Sequence, residues 1–362
     1  MIEKTKLKIT TLTPVTIGSG AELSPYADYI ADDGQICFID KKKMVEKIMQ
    51  KGDSYLERYI YGIANGMDNN RSEFDLKSFL LNNQIVQTID EVTFSKCNAV
   101  IFPNRKLPIK GMIKSPLAEP YFPGSSIKGA LKTILMYNWL TTNKKANEMI
   151  EEVINGGNFN SLEKNFECLV NDKNELVRSN TIQQVTDSKM MQNDSNIVVD
   201  SDRKIPLRFE CIAKDQTTEF ELVLGNYKWE ELAGQANDYA TTVLDREFAL
   251  IEKDDKLTKY YNQLVNIEEM INEANSNTAY FRIGFGKGYY LNSLGITIYD
   301  YVIQDGKEKL HDKFESFLKN EFAKKAKWDD FSLEEFPRTR LMVKKTQEPL
   351  GWIKIEKNQS LI

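Results

Sequence analysis

The stretch PGSSIKGALKTIL, Pro123–Leu135, reads as the opening of a helix. Ser125 or Ser126 can cap it by accepting a backbone N–H. Ile127, Leu131, Ile134, Leu135 and Trp139 then fall on one face at helical spacing, which predicts a helix over Ser126–Leu140. Its first turn breaks two rules. Lys128 puts a cation at the positive end of the helix. Gly129 costs about 1 kcal/mol relative to alanine inside a helix. An anion would reverse the first penalty, because free N–H groups, the serine hydroxyls, Lys128 and Lys132 would all face it. Glycine would let a ligand backbone approach closely. In the plainer reading Gly129 packs against a neighbour and the lysines are solvated. This is not a Walker loop: Lys128 precedes Gly129, and no GxxxxGK[ST] string occurs in the chain.

Outward from this helix, the pattern is of paired strands separated by helices. Upstream, residues 5–12 alternate as a half-buried strand, followed by a loop at Ile17-Gly18-Ser19-Gly20. Residues 29–39 form a hairpin about Asp32-Asp33-Gly34, and Asp40 caps a helix to about Gln50. Short helical patterns run to about Leu81, a strand is expected over Val92–Phe102, and Leu107–Pro120 reads as an ordered loop. Downstream, helix continues to about Val170, a strand lies within Asn180–Val185, and Lys189–Asn196 reads as a flexible polar loop. Residues 205–212 and 219–224 suggest a second hairpin around Asp215-Gln216. Trp229 to about Ala274 reads as two or more helices, whose charges Glu247, Lys253, Lys256 and Glu268 suggest a solvated insertion or partner face. Strands are expected at Thr278–Ile283, Ile296–Ile303, Arg338–Lys344 and Trp352–Ile355, with an amphipathic helix over Lys307–Lys325. The class is α+β with antiparallel sheets, divided near residue 200 into domains 1–200 and 201–362.

A second motif, YFRIGFGKGYY, covers residues 280–290. Gly284, Gly286 and Gly288 alternate after a strand, but the third glycine is one place early for a dinucleotide fingerprint. The loop can instead wrap a sugar-phosphate backbone with Arg282 and Lys287 beside it, while Phe285, Tyr289 and Tyr290 stack on bases. A glycine-rich bulge with core aromatics is the plainer alternative. In FPRTRLMVKK, residues 336–345, Arg338 and Arg340 share one face of a strand and can reach one ligand. A solvated edge strand explains them equally well.

The net charge of −5 argues against bulk polyanion binding. Three stretches are nevertheless basic. Residues 103–143 hold Arg105, Lys106, Lys110, Lys114, Lys128 and Lys132 against one acid, Glu119. Residues 278–290 and 337–347 add Arg282, Lys287, Arg338, Arg340, Lys344 and Lys345 with no acid. A basic site on an acidic body suits local polyanion contact.

Other chemistries are poorly served. Cys37, Cys97, Cys168 and Cys211 are scattered, which excludes a CxxC pair and suggests small buried hydrophobes. The single histidine, His311, excludes a His-rich metal site. Asp32, Asp33, Asp187, Asp200 and Asp202 flank turns and loops, where turn chemistry accounts for them. No nucleophile-base-acid set is visible, and no catalytic residue, metal or cofactor is expected. No apolar run reaches the roughly 20 residues of a membrane span. MIEKTKLKIT reads as a strand rather than a signal peptide, so a cytoplasmic protein is expected.

PGSSIKGALKTIL resembles a motif of the RAMP superfamily of CRISPR effector proteins. LTPVTIGSG after the first strand, RIGFGKG late in the chain and the closing FPRTRLMV…EPLGWIKI agree with it. Their order and spacing most resemble the family of fifth subunits of type III-A Csm complexes. The resemblance implies two ferredoxin-like (RRM-like) domains with helical insertions and a glycine-rich loop. It implies an RNA-binding subunit that caps the complex at the crRNA 3′-end beside the third Csm subunit. That subunit is needed for crRNA maturation by recruited host nucleases. The family's motifs carry over to Pro123, Gly124, Ser125, Ser126, Lys128 and Gly129, and to Arg282, Gly284, Gly286, Lys287 and Gly288. One alternative is a metal-independent endoribonuclease that trims crRNA with His311 and Tyr289 or Lys287 as acid and base. Another is a scaffold cap that binds only protein.

Overall fold

A computed structural model gives the fold. It describes residues 4–69, 74–102, 105–142, 146–156, 182–202, 206–225, 227–252, 254–286, 288, 295–323, 330–338 and 340–357. The expectations for Cys168, Lys253, Lys287, Tyr289 and Tyr290, and for helix between 157 and 170, lie outside the described residues. The chain opens with β1 (Lys4–Thr11), β2 (Gly18–Leu23), β3 (Tyr29–Asp32) and β4 (Gln35–Ile39). Helices α1 (Lys41–Lys51), α2 (Asp53–Asn69) and α3 (Leu76–Asn82) follow. Next come β5 (Thr93–Val100), β6 (Ile109–Met112), α4 (Gly124–Thr142) and α5 (Ala146–Gly156). Then come β7 (Ile182–Val185), β8 (Asn196–Asp200), β9 (Arg208–Ile212) and β10 (Thr217–Leu224). Helices α6 (Trp229–Ile251) and α7 (Thr258–Asn272) lead to β11 (Thr278–Arg282). Helices α8 (Gly295–Val302) and α9 (Glu308–Leu318) precede β12 (Trp352–Lys357).

The strands form two sheets. The first has the order β11-β12-β1-β10-β7 and is antiparallel throughout. The second has the order β2-β6-β9-β8-β5-β4-β3, with parallel contacts at β5–β8 and β6–β9. Leu7 and Ile9 of β1, Phe220 and Leu222 of β10, and Ile353 and Ile355 of β12 enter one large core with α4, α5, α6, α8 and α9. The β8–β9 hairpin spans residue 200 and lies among strands from the first half of the chain, while β1 pairs with β10 and β12.

Several elements follow their local chemistry. Asp33 and Gly34 both take positive φ (42° and 76°), as a two-residue hairpin turn requires. Asp40 caps α1 by accepting the Lys43 N–H. Cys37, Cys97 and Cys211 are buried free thiols. Burial pushes the Cys97 thiol up to about 12, so it is no nucleophile near neutral pH.

Other elements differ from the sequence reading. The expected 205–224 hairpin does not form: β9 pairs with β8 in the second sheet and β10 with β1 in the first. The turn at Asp215 (φ 63°) passes the chain between sheets. Residues 296–302 belong to helix α8, where Ile296, Ile298, Tyr299, Tyr301 and Val302 are all buried. Packing decides what a short apolar run leaves ambiguous. Among the described residues of 338–344, the β pairing consists of isolated bridges, Ser201–Val343 and Met342–Pro349. Gly18–Gly20 lies in strand β2, and Ile109–Met112, read as loop, is β6. The Lys189–Asn196 segment is tied down: Lys189 N–H donates to Glu219 O and Met191 N–H to Pro120 O. Helix α6 is not a solvated insertion, since Trp229, Leu232, Ala236 and Val243 are buried in the main core. Leu244 and Ile251 pack with Tyr260 and Leu264 of α7 in a second cluster.

Candidate nucleic-acid interface

The glycine loop leaves β11 at Arg282 and is laced to two distant segments. The Ile283 N–H donates to Gly351 O (2.8 Å), and Gly351 N–H donates to Pro14 O (2.9 Å). The Phe285 N–H donates to Thr16 O at 2.8 Å. Gly284, Gly286 and Gly288 all have left-handed φ, 80°, 95° and 82°. At Gly284 an added Cβ would lie 2.2 Å from Thr16 O, and at Gly286 2.8 Å from Leu341 Cδ2. These two glycines serve close packing as well as the turn. Gly288 is open, with nothing within 4 Å.

Arg282, expected to face RNA, points inward. Its Nε donates to Leu350 O (3.0 Å), one terminal nitrogen to Gly286 O (3.2 Å) and the other to Glu247 Oε1 (2.9 Å). Glu247 also accepts the Tyr260 hydroxyl at 2.6 Å. Burial and this carboxylate push the Tyr260 phenol well above its usual range. Arg282 therefore fixes the loop from beneath. Lys287 lies outside the described residues.

Beside the loop is an open cleft of about 130 Å³, lined by Thr16, Gly18, Gly20, Lys110, Phe209 and Phe285. Phe285 is 49% exposed and rests on buried Phe209, ring centroids 5.2 Å apart. Its outer face offers a base an aromatic platform. The open face of the first sheet does not: Lys8–Glu356, Lys354–Glu356 and Lys189–Glu219 ion pairs cover it.

Helix α4 starts before either expected cap, Ser125 or Ser126. Gly124 is its first residue, and Pro123 O accepts the Ser126 and Ile127 N–H groups. The Gly124 N–H donates to Asp187 Oδ1 (2.8 Å), so an acid from the β7–β8 connection caps the helix. This corrects two readings: neither Ser125 nor Ser126 is the cap, and Asp187 is more than a turn residue. Gly124 is also the packing glycine, because an added Cβ would sit 2.4 Å from Val185 O. Gly129 has nothing within 4 Å, which overturns its reading as a packing residue. Ser125, Lys128, Gly129 and Lys132 recur at helical spacing and form one strip beside the capped tip. Ser125 and Gly129 are exposed, and Lys128 Nζ donates to Gln183 O at 3.5 Å.

The basic stretches look different in three dimensions. Lys110 pairs with Glu22 (2.8 Å), Lys114 with buried Glu210 (2.6 Å) and Lys344 with Asp202. Arg338 pairs with Asp330 (3.1 Å) and Glu335 (2.6 Å) and does not share a strand face with Arg340. Acids remote in sequence thus neutralise several of these cations. Among the described residues, Arg105, Lys106, Lys128, Arg340 and Lys345 have no carboxylate partner. Asp200, read as a turn residue, forms a buried bidentate pair with Arg208 (2.6 and 3.0 Å).

The glycine loop, the Thr16–Gly20 segment, Lys110 and the side chain of Leu341, the residue after Arg340, come together. The α4 strip does not join them. It lies against β7 at one edge of the first sheet, while the loop follows β11 at the other. Four strand spacings, roughly 19 Å, separate those edges. The sequence reading places Glu247 on a solvated face and Asp187 in a turn and misses the roles of both and of Gly351, though LTPVTIGSG and EPLGWIKI mark the segments that receive the loop. His311, the candidate acid-base residue, stands in α9 with Nε2 3.2 Å from Glu334 Oε1. No helix among the described residues is long and apolar enough to cross a membrane.

The family described as the RAMP superfamily matches residues 8–291, which include both the α4 strip and the glycine loop. A Csm5 protein of Methanocaldococcus jannaschii is 26% identical over 391 aligned residues, covering 97% of this chain and 88% of that one. A Csm5 protein of Streptococcus thermophilus is 30% identical over 150 residues, 40% of each chain. The fold is similar to a chain in the cryo-EM structure of a type III-A Csm–crRNA–target RNA ternary complex. The TM-score is 0.67, at 20% identity, over 97% of this chain and 100% of that one. It is also similar to the crystal structure of T. onnurineus Csm5, with TM-score 0.66 at 18% identity over 96% and 99% of the two chains.

Proposed function

The chain belongs to the RAMP superfamily, and from that premise we propose that it is an RNA-binding subunit of a type III-A Csm ribonucleoprotein. It caps the complex at the crRNA 3′-end beside the third Csm subunit and takes part in crRNA maturation with recruited host nucleases. Its place of work is the cytoplasm. The observation that carries this reading is the glycine loop, in which left-handed Gly284 and Gly286 flank the exposed Phe285 that borders an open cleft. Backbone groups and an aromatic face bind RNA without reading its sequence, as a subunit that accepts any spacer must. The α4 strip gives a second contact for the sugar-phosphate chain. The order β1-α4-β7-β10-α6-β12, with the strands arranged β12-β1-β10-β7 and antiparallel, also supports a ferredoxin-like unit, to whose edge β11 is added. The second sheet does not repeat that order.

Photocrosslinking of crRNA within the assembled complex, followed by peptide mapping, tests the site. Crosslinks are expected in peptides containing Phe285 and Ser125–Lys132; their absence from both would refute it. The protein acts without catalysing cleavage. Incubation of the pure protein with precursor RNA tests this, and cleavage abolished by His311→Ala would instead establish the endoribonuclease. A Lys128→Ala/Lys132→Ala variant with unchanged crRNA retention and length would favour a protein-only scaffold.

A further inference from the structure

Helix α9 and the segment leading to Phe336 hold a cluster that RNA binding does not use. His311 and Glu315 are four residues apart and project from one face of α9. Glu334 reaches the same place from the loop before Phe336. One ligand-capable atom from each of the three lies within 4.8 Å of the other two. His311 Nε2 and Glu334 Oε1 are 3.2 Å apart. Two ligands about 2.1 Å from one tetrahedral ion stand roughly 3.4 Å apart, so little movement is needed.

The surrounding contacts orient these groups. Glu315 Oε2 accepts the Leu333 N–H (3.0 Å), which leaves its second oxygen available. Glu334 Oε2 accepts the Ser332 hydroxyl while Oε1 faces the imidazole. The Asp312 carboxylate lies 3.7 Å from His311 Nδ1, on the far side of the ring. Arg246 donates to the carbonyls of Leu333 (2.8 Å), Glu334 (2.9 Å) and Phe336 (2.9 Å). Leu333 and Phe336 are themselves buried. Metal ligands are commonly held in this way, each ligating atom steadied by a bond to another part of its group.

We propose that His311, Glu315 and Glu334 form a binding site for a divalent transition ion of the zinc type, with a fourth position open to water. One imidazole and two carboxylates suit zinc better than magnesium or calcium, which take oxygen ligands in larger number. The ion ties α9 to the Ser332–Phe336 segment. That segment continues through Arg338 and Arg340 to Leu341, which abuts Gly286 of the glycine loop. The bound metal therefore braces one support of the loop. The site stands apart from the RNA-binding reading, because its ligands and its test involve no RNA.

The experiment is calorimetric titration of the full chain, freed of metal by a chelator, with zinc chloride, and with cobalt(II) chloride followed by visible absorption. One tight zinc equivalent, a rise in melting temperature and tetrahedral cobalt bands are expected. His311→Ala should abolish all three, and Glu334→Gln should weaken zinc binding by roughly tenfold or more. Magnesium should change nothing. Both substituted side chains are partly or largely exposed, so neither change threatens the fold. Absence of a tight zinc equivalent in the unsubstituted chain, or one that survives both substitutions, would overturn the proposal.

Discussion

Replacing Arg282 by alanine leaves Glu247 without its cation and the carbonyls of Gly286 and Leu350 without their donor. Breaking a buried ion pair in this way costs about 3–5 kcal/mol. The urea midpoint of Arg282→Ala should fall accordingly, and Arg282→Lys should restore little because it lacks the planar fork. The glycines separate two roles that sequence alone merges. Gly284→Ala forces a methyl against Thr16 O at positive φ and is expected to destabilise by more than about 1 kcal/mol. Gly129→Ala meets open space in a helix and should stabilise by about 0.5–1 kcal/mol while lowering crRNA retention. Thermal melts and co-purified crRNA measure the two effects independently. The positive charge of Arg282 was legible in the sequence, but its direction was not. What decides it is Glu247, which arrives from an unrelated helix. Gly124 and Gly351 likewise became recognisable as packing positions only once Val185 O and Ile283 O stood beside them.

At the scale of elements, α4 owes its start to a residue more than 60 positions away. Asp187→Ala removes the acceptor of the Gly124 N–H and should cost about 1 kcal/mol, read as a lower melting temperature. Helix α8 carries a pH dependence. Burial raises the Asp300 carboxyl to about 6 from an ordinary 3.8, with Arg246 opposing the shift and Asp245 adding to it. The native state thus holds a proton that the unfolded chain releases, so stability falls as pH rises from about 4 to 6. Asp300→Asn should flatten that slope and stabilise the protein at pH 7 by on the order of 2 kcal/mol, measured as urea midpoints across that range. Elements with long periodic faces, such as α4, α6 and α9, were legible because their apolar spacing agrees with their packing. GITIYDYV was not: its residues are buried all round and rich in β-branches, so no period marks it as helix. The 205–224 pattern contains two true strands, yet alternation carries no information about which sheet receives each.

In the whole molecule, neither sheet can be completed from one side of residue 200. Residues 1–200 lack β9, β10, β11 and β12, and residues 201–362 lack β1 and β7 of the first sheet and every strand of the second except β9. Each half expressed alone is expected to lack cooperative unfolding in calorimetry, and mixing the two should restore it only if the strands reassemble. A mixed α+β class was legible from the order of elements. The interleaving was not, because pairing over hundreds of residues leaves no local trace. The same limit applies to charge, since stretches that are basic along the chain meet their acids only after folding. The seating of β12 has a consequence for synthesis. It lies between β1 and β11, and the Trp352 N–H meets Thr13 Oγ1 across 339 positions of sequence. As the ribosome works, β1 emerges long before β12 and waits with one hydrogen-bonding edge vacant until residues 352–357 have been translated. A product terminated before residue 352 therefore never closes its first sheet. Such a product should be digested by added protease faster than the chain that carries β12, because its unpaired strand edge stays open.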